Sequence, residues 1–451
     1  MGVIFWSGFE GDEMEPMPKK KVEELIKKQK EFLPPVVFNY YKEPLVFVKG
    51  QGMHLYDSQG KEYLDCFSGI ATVQVGHGNP KVTDAVVEQI KKLCYTSSIY
   101  ITEPQVLLGE KVAGIAPGKL KKSYFVNSGS EANEVAIQAL RLATKKNGIF
   151  AVDRAYHGKT LGAGTLSALS SWAQNVPRAP EIYHIPTSYC YRCPFGKEHP
   201  GCDIECARYL DEAIKANTPN GGAGFIAEPI QGVGGIIDRP VPEYFKIIRE
   251  ILDKYEMLLV SDEVQTGCGR TGKWWCIEHY GVEPDAITVA KGFGNGYPIG
   301  AFISTAELAD VLKPLSFFST FGGNPVSCLA ALKTLEVIEE EKLIDNASRV
   351  GSYLMKGLEE LKEDHKIVGD VRGMGLMLGI EFVKSKKAKE FAPSETLAVM
   401  ESAKEDGVLL GKGGNEGNVI RIQPPLIIRK EHADKTLETL DTACSKVEKG
   451  R

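Results

Sequence analysis

Four short stretches of this sequence carry residue types that could do chemistry together. Asn127-Ser128-Gly129-Ser130-Glu131-Ala132-Asn133 follows an apolar run and opens a helical one. Free N–H groups at a helix N-terminus, with small hydroxyl residues beside them, make a phosphate cradle. The same Ser and Glu spacing also serves as an ordinary helix cap. Asp262-Glu263-Val264-Gln265 ends the apolar run Leu258–Val260. Open α/β sheets bind ligands at the carboxyl ends of their strands, and a carboxylate buried there needs a cation or several donors. Solvated acids also end strands. Continued alternation puts Asp262 and Val264 on one side and Gln265 on the other. Lys291 leaves the apolar run Ile287–Ala290 into a glycine-rich turn. Desolvation there lowers a lysine's pKa and makes it a nucleophile, whereas most lysines are simply hydrated. Arg421 lies inside Val-Ile-Arg-Ile, and a buried guanidinium asks for a bidentate anion from the protein or from a substrate.

The elements that must position these groups alternate along the chain. Short strands are expected at Ser123–Val126, Ile149–Val152, Gly224–Ala227, Leu258–Val260, Ile287–Ala290 and Ala301–Ile303, with a helix from Ser130 to Lys145. Short buried strands between crossover helices imply an α/β fold with a mostly parallel central sheet. Beyond Asn324 come two long helical patterns, Val326–Glu341 and Ile344–Glu363, then strands at Leu376–Val383 and Val419–Ile422 and a terminal helix. That suggests a smaller α+β lobe. Gln51–Phe67 alternates like a hairpin and is placed with it. The expected organisation is an N-terminal segment, 1–70, packing with the small lobe, a large lobe over 71–325 and the small lobe over 326–451.

The chain has 451 residues, 43% hydrophobic and 25% charged, with 54 basic against 59 acidic residues and a net charge of −5. This is a globular composition with no global basic field, which argues against nucleic acid and anionic membranes as partners. No apolar run approaches the roughly 18–20 residues that span a bilayer. The opening, Met1 to Trp6 and then acidic from Glu10 to Glu15, lacks the basic start of a secretory signal. Six cysteines are scattered singly, as in a reducing compartment, and the cytoplasm is the expected address.

The order of the four stretches resembles that of pyridoxal-phosphate enzymes of fold type I. The wording NSGSEAN, AYHGKT, AEPIQGVGG, DEVQTGCGRTG, AKGFGNGYPIGA, STFGGNP and RIQPPL is similar to their class III aminotransferases. Within that class it is most like the mitochondrial-type alanine–glyoxylate and 4-aminobutyrate group. The resemblance implies a large domain with a mostly parallel sheet, a smaller α+β domain and pyridoxal 5'-phosphate as cofactor. It further implies ping-pong transfer of an amino group to a 2-oxo acid. Lys291 would hold the cofactor as a Schiff base and shuttle the substrate's proton. Asp262 would pair with the pyridinium nitrogen. Val264 and Tyr156 would cover the two ring faces and Gln265 would bond the phenolic oxygen. Gly129 and Ser130 would bind the phosphate, joined by Thr320 from the neighbouring subunit of a homodimer. Arg421 would grip the substrate carboxylate, and Glu228 would be a gate that pairs with an arginine in one half-reaction. An amino-acid racemase on the same scaffold is the alternative.

One departure narrows the substrates. The 4-aminobutyrate members carry arginine in YHGRT, where this chain has Lys159, which lacks the bidentate fork. Short partners such as alanine, β-alanine, pyruvate or glyoxylate fit better. Two motifs stand apart. Gly267–Gly272 matches the dinucleotide pattern G-x-G-x-x-G, yet it neither follows a strand at once nor opens a helix; an NAD-dependent dehydrogenase is therefore a remote alternative. Cys190, Cys193, Cys202 and Cys206, with His199 among them, have zinc-like spacing. A structural metal, a disulfide staple or free thiols are all open there, and no catalytic metal is expected.

Overall fold

The computed structural model describes residues 16–36, 39–169, 177–238, 241–315 and 318–450; the acidic opening before residue 16 lies outside them. A seven-stranded sheet forms the centre. Its order is Lys122–Val126, Gly300–Ser304, Ala286–Val289, Leu258–Asp262, Gly224–Ala227, Ile149–Val152, Ile182–Ile185. Gly300–Ser304 runs antiparallel to both neighbours, and the other registers are parallel. Four of the five inner strands are buried along their whole length and Leu258–Asp262 from Leu259 on, because helices cover both faces of such a sheet.

Two capped helices show how local sequence sets the frame. Gly129–Thr144 starts where Ser128 Oγ accepts the Glu131 N–H, and it buries Ala132, Val135, Ala136, Ala139 and Leu140. Pro325–Glu340 starts at Asn324, whose side chain accepts the Ser327 N–H at 2.9 Å, with Pro325 in the first turn where its missing N–H costs nothing.

Two further four-stranded sheets flank this core. Val368–Met374, Met377–Phe382, Val419–Ile422 and Gly411–Gly413 form an antiparallel one that carries Arg421. The hairpin expected over Gln51–Phe67 is present as His54–Asp57 and Glu62–Asp65, and Phe47–Gln51 adds a third antiparallel strand to it. The last pairs in parallel with Val408–Leu409, a partner from the far end of the chain that local alternation cannot reveal.

The alternation expected through Gln265 also fails. The strand stops at Asp262, whose own Oδ1 accepts the Val264 N–H at 3.0 Å. This turn, closed by a side chain two residues back, bends the chain out of the sheet and puts Val264 and Gln265 in a loop. Among the described residues no helix is long and apolar enough to cross a membrane.

Candidate active site

Lys291 follows the strand Ala286–Val289 and begins a single 3₁₀ turn, Lys291–Phe293. Its φ is 48°, a left-handed conformation that costs a non-glycine residue about 1–2 kcal/mol. Such strain persists where surrounding structure enforces it. Here Gln74 packs so closely on Gly292 that an added Cβ would sit 2.4 Å from its Cγ. A second strained turn, Ser68–Ala71, with four consecutive positive φ values, packs against the first. The Asp65 carboxylate holds it by accepting the N–H groups of Phe67 and Ser68 at 2.9 and 2.8 Å.

Three charged side chains from distant stretches converge on Lys291. Burial pulls its ammonium below the usual lysine range; Asp262 and Glu228 oppose that, and Arg421 adds to it. Asp262 is 2% exposed. Its Oδ2 accepts from His157 Nδ1 at 2.6 Å and from Asn133 Nδ2 at 2.8 Å. The adjacent Glu263 points away: Ser261, Thr266 and the N–H groups of Cys276 and Ile277 all donate to it, and burial pushes it up to about 7. Where the chain leaves the strand, one carboxylate is thus turned into the cleft and the other caps the turn at Cys276–Tyr280.

Glu228 is buried after the strand Gly224–Ala227 and accepts the N–H groups of Tyr156 and Gly232 at 2.8 and 2.9 Å. Burial raises its pKa despite the nearby His157. No ion pair joins it to Arg421 among the described residues, so the expected arginine pairing is not made in this arrangement. Burial acts against an imidazolium at His157, but the hydrogen bond and charge of Asp262 and the charge of Glu228 prevail and raise its pKa.

Arg421 is 2% exposed. Its Nε donates to the Lys412 carbonyl at 3.0 Å, its Nη2 lies 3.4 Å from Tyr40 Oη, and its guanidinium carbon sits 4.9 Å from the Phe67 ring centroid. Nη1 is buried without a partner. Such a donor is suited to an incoming carboxylate.

The phosphate cradle and the helix cap coexist. Ser128 Oγ takes the Glu131 N–H, while those of Gly129 and Ser130 belong to the first turn and have no intrahelical acceptor. Side chains are excluded around them. A Cβ on Gly129 would meet Val264 Cγ1 at 2.9 Å, and one on Gly158 would meet Ser130 Oγ at 2.3 Å. Gln265 is buried and its Oε1 accepts from Gln423 Nε2 at 3.3 Å. Tyr156 is half-buried, and Lys159 is exposed beside Ser130, whose Oγ accepts the Lys159 N–H at 3.3 Å. Thr320 is not drawn into this group. It is exposed, and its carbonyl accepts the Tyr95 hydroxyl at 2.7 Å.

Pyridoxal phosphate fits these residues. A mostly buried lysine of lowered pKa, a buried carboxylate, a helix N-terminus with free N–H groups and an unpartnered guanidinium donor match its aldehyde, ring nitrogen, phosphate and substrate carboxylate in turn. Sequence reasoning missed His157, Asn133, Tyr40, Phe67 and Gln423. Asn133 did leave a signal, as an amide in the apolar stripe of its helix.

Neither of the two motifs that stood apart contributes a side chain to this group. Gly267–Gly272 is a turn, and its Arg270 is fully buried, donating to the Leu376 and Pro424 carbonyls and to Gln74 Oε1. This segment ties the core sheet to the C-terminal strands. Cys190, Cys193, Cys202 and Cys206 line one cavity with His199. Among the described residues no three His, Cys, Asp or Glu side chains are grouped to hold a metal ion.

Comparison with known proteins agrees with this geometry. The family model described as Aminotransferase class-III matches residues 37–444. An Arabidopsis thaliana alanine–glyoxylate aminotransferase 2 homolog 2, mitochondrial, is 44% identical over 94% of this chain and 87% of its own. A leucine/methionine racemase of Thermococcus litoralis is 42% identical over 95% and 97%. A crystal structure of a Bacillus anthracis aminotransferase superposes with a TM-score of 0.90 at 33% identity, covering 95% of this chain and 100% of that one. With the motifs in order and the fold in common, the chain belongs to the class III aminotransferases, enzymes of fold type I that depend on pyridoxal phosphate.

Proposed function

We propose that this enzyme transfers the amino group of a short amino acid, of the alanine, β-alanine or ω-amino acid class, to pyruvate, glyoxylate or 2-oxoglutarate. The convergence of Asp262, Glu228 and Arg421 on Lys291 is the observation that carries this reading. When bound, the cofactor supplies an electrophilic aldehyde and an electron-withdrawing ring. Burial favours the neutral amine of Lys291, which would hold that aldehyde and whose Nζ would serve as the base for the substrate's α-proton. Asp262 keeps a proton on the ring nitrogen. Gly129 and Ser130 hold the phosphate, Gln265 bonds the phenolic oxygen, and Val264 and Tyr156 exclude water from the two faces. Arg421 orients the substrate carboxylate through its unpartnered Nη1, and Glu228 is the gate. The lobes at 71–325 and 326–451, the latter joined by 1–70, go with this reading, supported by the pairing of Glu62–Asp65 with Val408–Leu409. So does a cytoplasmic address.

A donor–acceptor matrix tests it, with alanine, β-alanine, 4-aminobutyrate and ornithine against the three 2-oxo acids. Stoichiometric consumption of the 2-oxo acid with one of the short donors is expected. The similarity to a racemase favours a second reading, since removal of the α-proton opens both reactions. Inversion of an amino acid with no acceptor present, and no transfer with one, would establish that reading instead.

The site is completed by a second copy of the chain. Phe318 and Phe321, which flank Thr320 in the chain, and Ile99, Tyr100 and Ile101, which follow Tyr95, each leave between 61% and 89% of their surface exposed, and the rings of Tyr95 and Phe321 are 5.5 Å apart. Apolar surface of this kind marks an interaction site. Thr320 of one subunit would reach the phosphate of the other, so cofactor binding should stabilise the dimer. Sedimentation should find a holo-dimer that dissociates at higher protein concentration when the cofactor is removed, and Thr320→Ala should narrow that difference. A fully active monomer overturns the shared site.

A further inference from the structure

We propose that His157 and Asn133 are positioning residues that saturate Oδ2 of Asp262, leaving Oδ1 as the oxygen that meets the cofactor's ring nitrogen. This rests on the reading that Asp262 serves that nitrogen. A carboxylate oxygen accepts two hydrogen bonds well. Oδ2 has both, from His157 Nδ1 at 2.6 Å and Asn133 Nδ2 at 2.8 Å. Oδ1 has one, from the Val264 N–H at 3.0 Å, and so keeps a lone pair.

The orientation of both donors is fixed by acceptors that cannot reverse role. Asn133 Nδ2 also donates to the His157 carbonyl at 2.8 Å, and Asn133 Oδ1 accepts the Thr288 hydroxyl at 2.9 Å. Turning the amide over would set its oxygen against a carboxylate and a carbonyl. His157 Nδ1 faces the same carboxylate and must carry a proton. The His157 backbone N–H is tied to Ser167 Oγ at 2.8 Å, its side chain is fully enclosed, and its Nε2 is buried without a partner. A ring held at one nitrogen and dry at the other has a single productive tautomer. The titratable groups around it are Asp262, Glu228 and His184. None of them offers Nε2 an alternative hydrogen bond in this arrangement.

Two measurements test the assignment. In the apo-protein, long-range ¹H–¹⁵N spectra should show His157 protonated at Nδ1 throughout the neutral pH range; an Nε2–H tautomer overturns the proposal whether or not any variant folds. In the holoenzyme, His157→Phe removes the donor, and the cofactor dissociation constant should rise about tenfold, with kcat falling and the donor KM little changed. His157→Asn, which returns an N–H near the Nδ1 position, should recover most of that loss. A folded His157→Phe with unaltered cofactor affinity and kcat overturns the proposal, and failure of His157→Asn to rescue reduces the histidine to a packing role. Asp262→Asn separates the two layers. If it too leaves the rate unchanged, the reading of Asp262 has failed; if it alone is crippled, only the positioning role has.

Discussion

Lys291→Ala is expected to lose more than about ten-thousand-fold in turnover, because no other group can hold the aldehyde and return the proton. The variant should still bind the cofactor, since the phosphate cradle at Gly129 and Ser130 and the carboxylate of Asp262 are untouched. Borohydride reduction should label Lys291 in the parent enzyme and nothing in the variant. Label on another lysine, or substantial residual activity, would sink the assignment. A second consequence follows from burial. Desolvation depresses the Lys291 pKa in the folded protein, so the folded state binds its proton less readily than the unfolded chain. Its burial therefore destabilises the apo-protein fully below the folded pKa, and the penalty fades as pH rises toward the ordinary lysine value of about 10.4. Apo Lys291→Ala should melt above the parent at neutral pH, and the gap should close toward alkaline pH. A gap that widens with pH would contradict the burial argument.

Asp262→Asn should cut the rate by about a thousandfold while keeping the fold, as loss of one preorganised electrostatic partner does. The amide can accept from only one side. With its oxygen toward His157 and Asn133, its NH₂ faces the Val264 N–H and the ring nitrogen, and the ring is no longer held protonated. The electron sink weakens, whereas packing around this 2%-exposed side chain is preserved because the two side chains are nearly the same shape. Circular dichroism and retained cofactor absorbance establish that the variant is folded and loaded. An unchanged kcat in that state would refute the role given to Asp262.

Much of this protein was legible from local pattern. The strands at Gly224–Ala227 and Val419–Ile422 and the helices near 129–144 and 325–340 announce themselves through periodicity and caps, which depend on contacts within a few residues. Lys291 and Asp262 could be picked out because each ends a buried strand, and their order with the cradle and Arg421 pointed to the family.

Only the tertiary structure decided the rest. It distinguished Asp262, which faces the cleft, from Glu263, which caps a turn, and it ended the strand with a side-chain hydrogen bond that no alternation rule foresees. It paired Glu62–Asp65 with strand residues more than three hundred positions away and seated Arg421 against Tyr40 and Phe67. Above all it supplied Asp262 with His157 and Asn133, each more than a hundred residues distant along the chain. A buried carboxylate must find donors, so the sequence fixes that the need exists. Which donors meet it depends on how the sheet, the helix at 129–144 and the loop after Val152 pack together, and that information is carried by no single stretch of the chain.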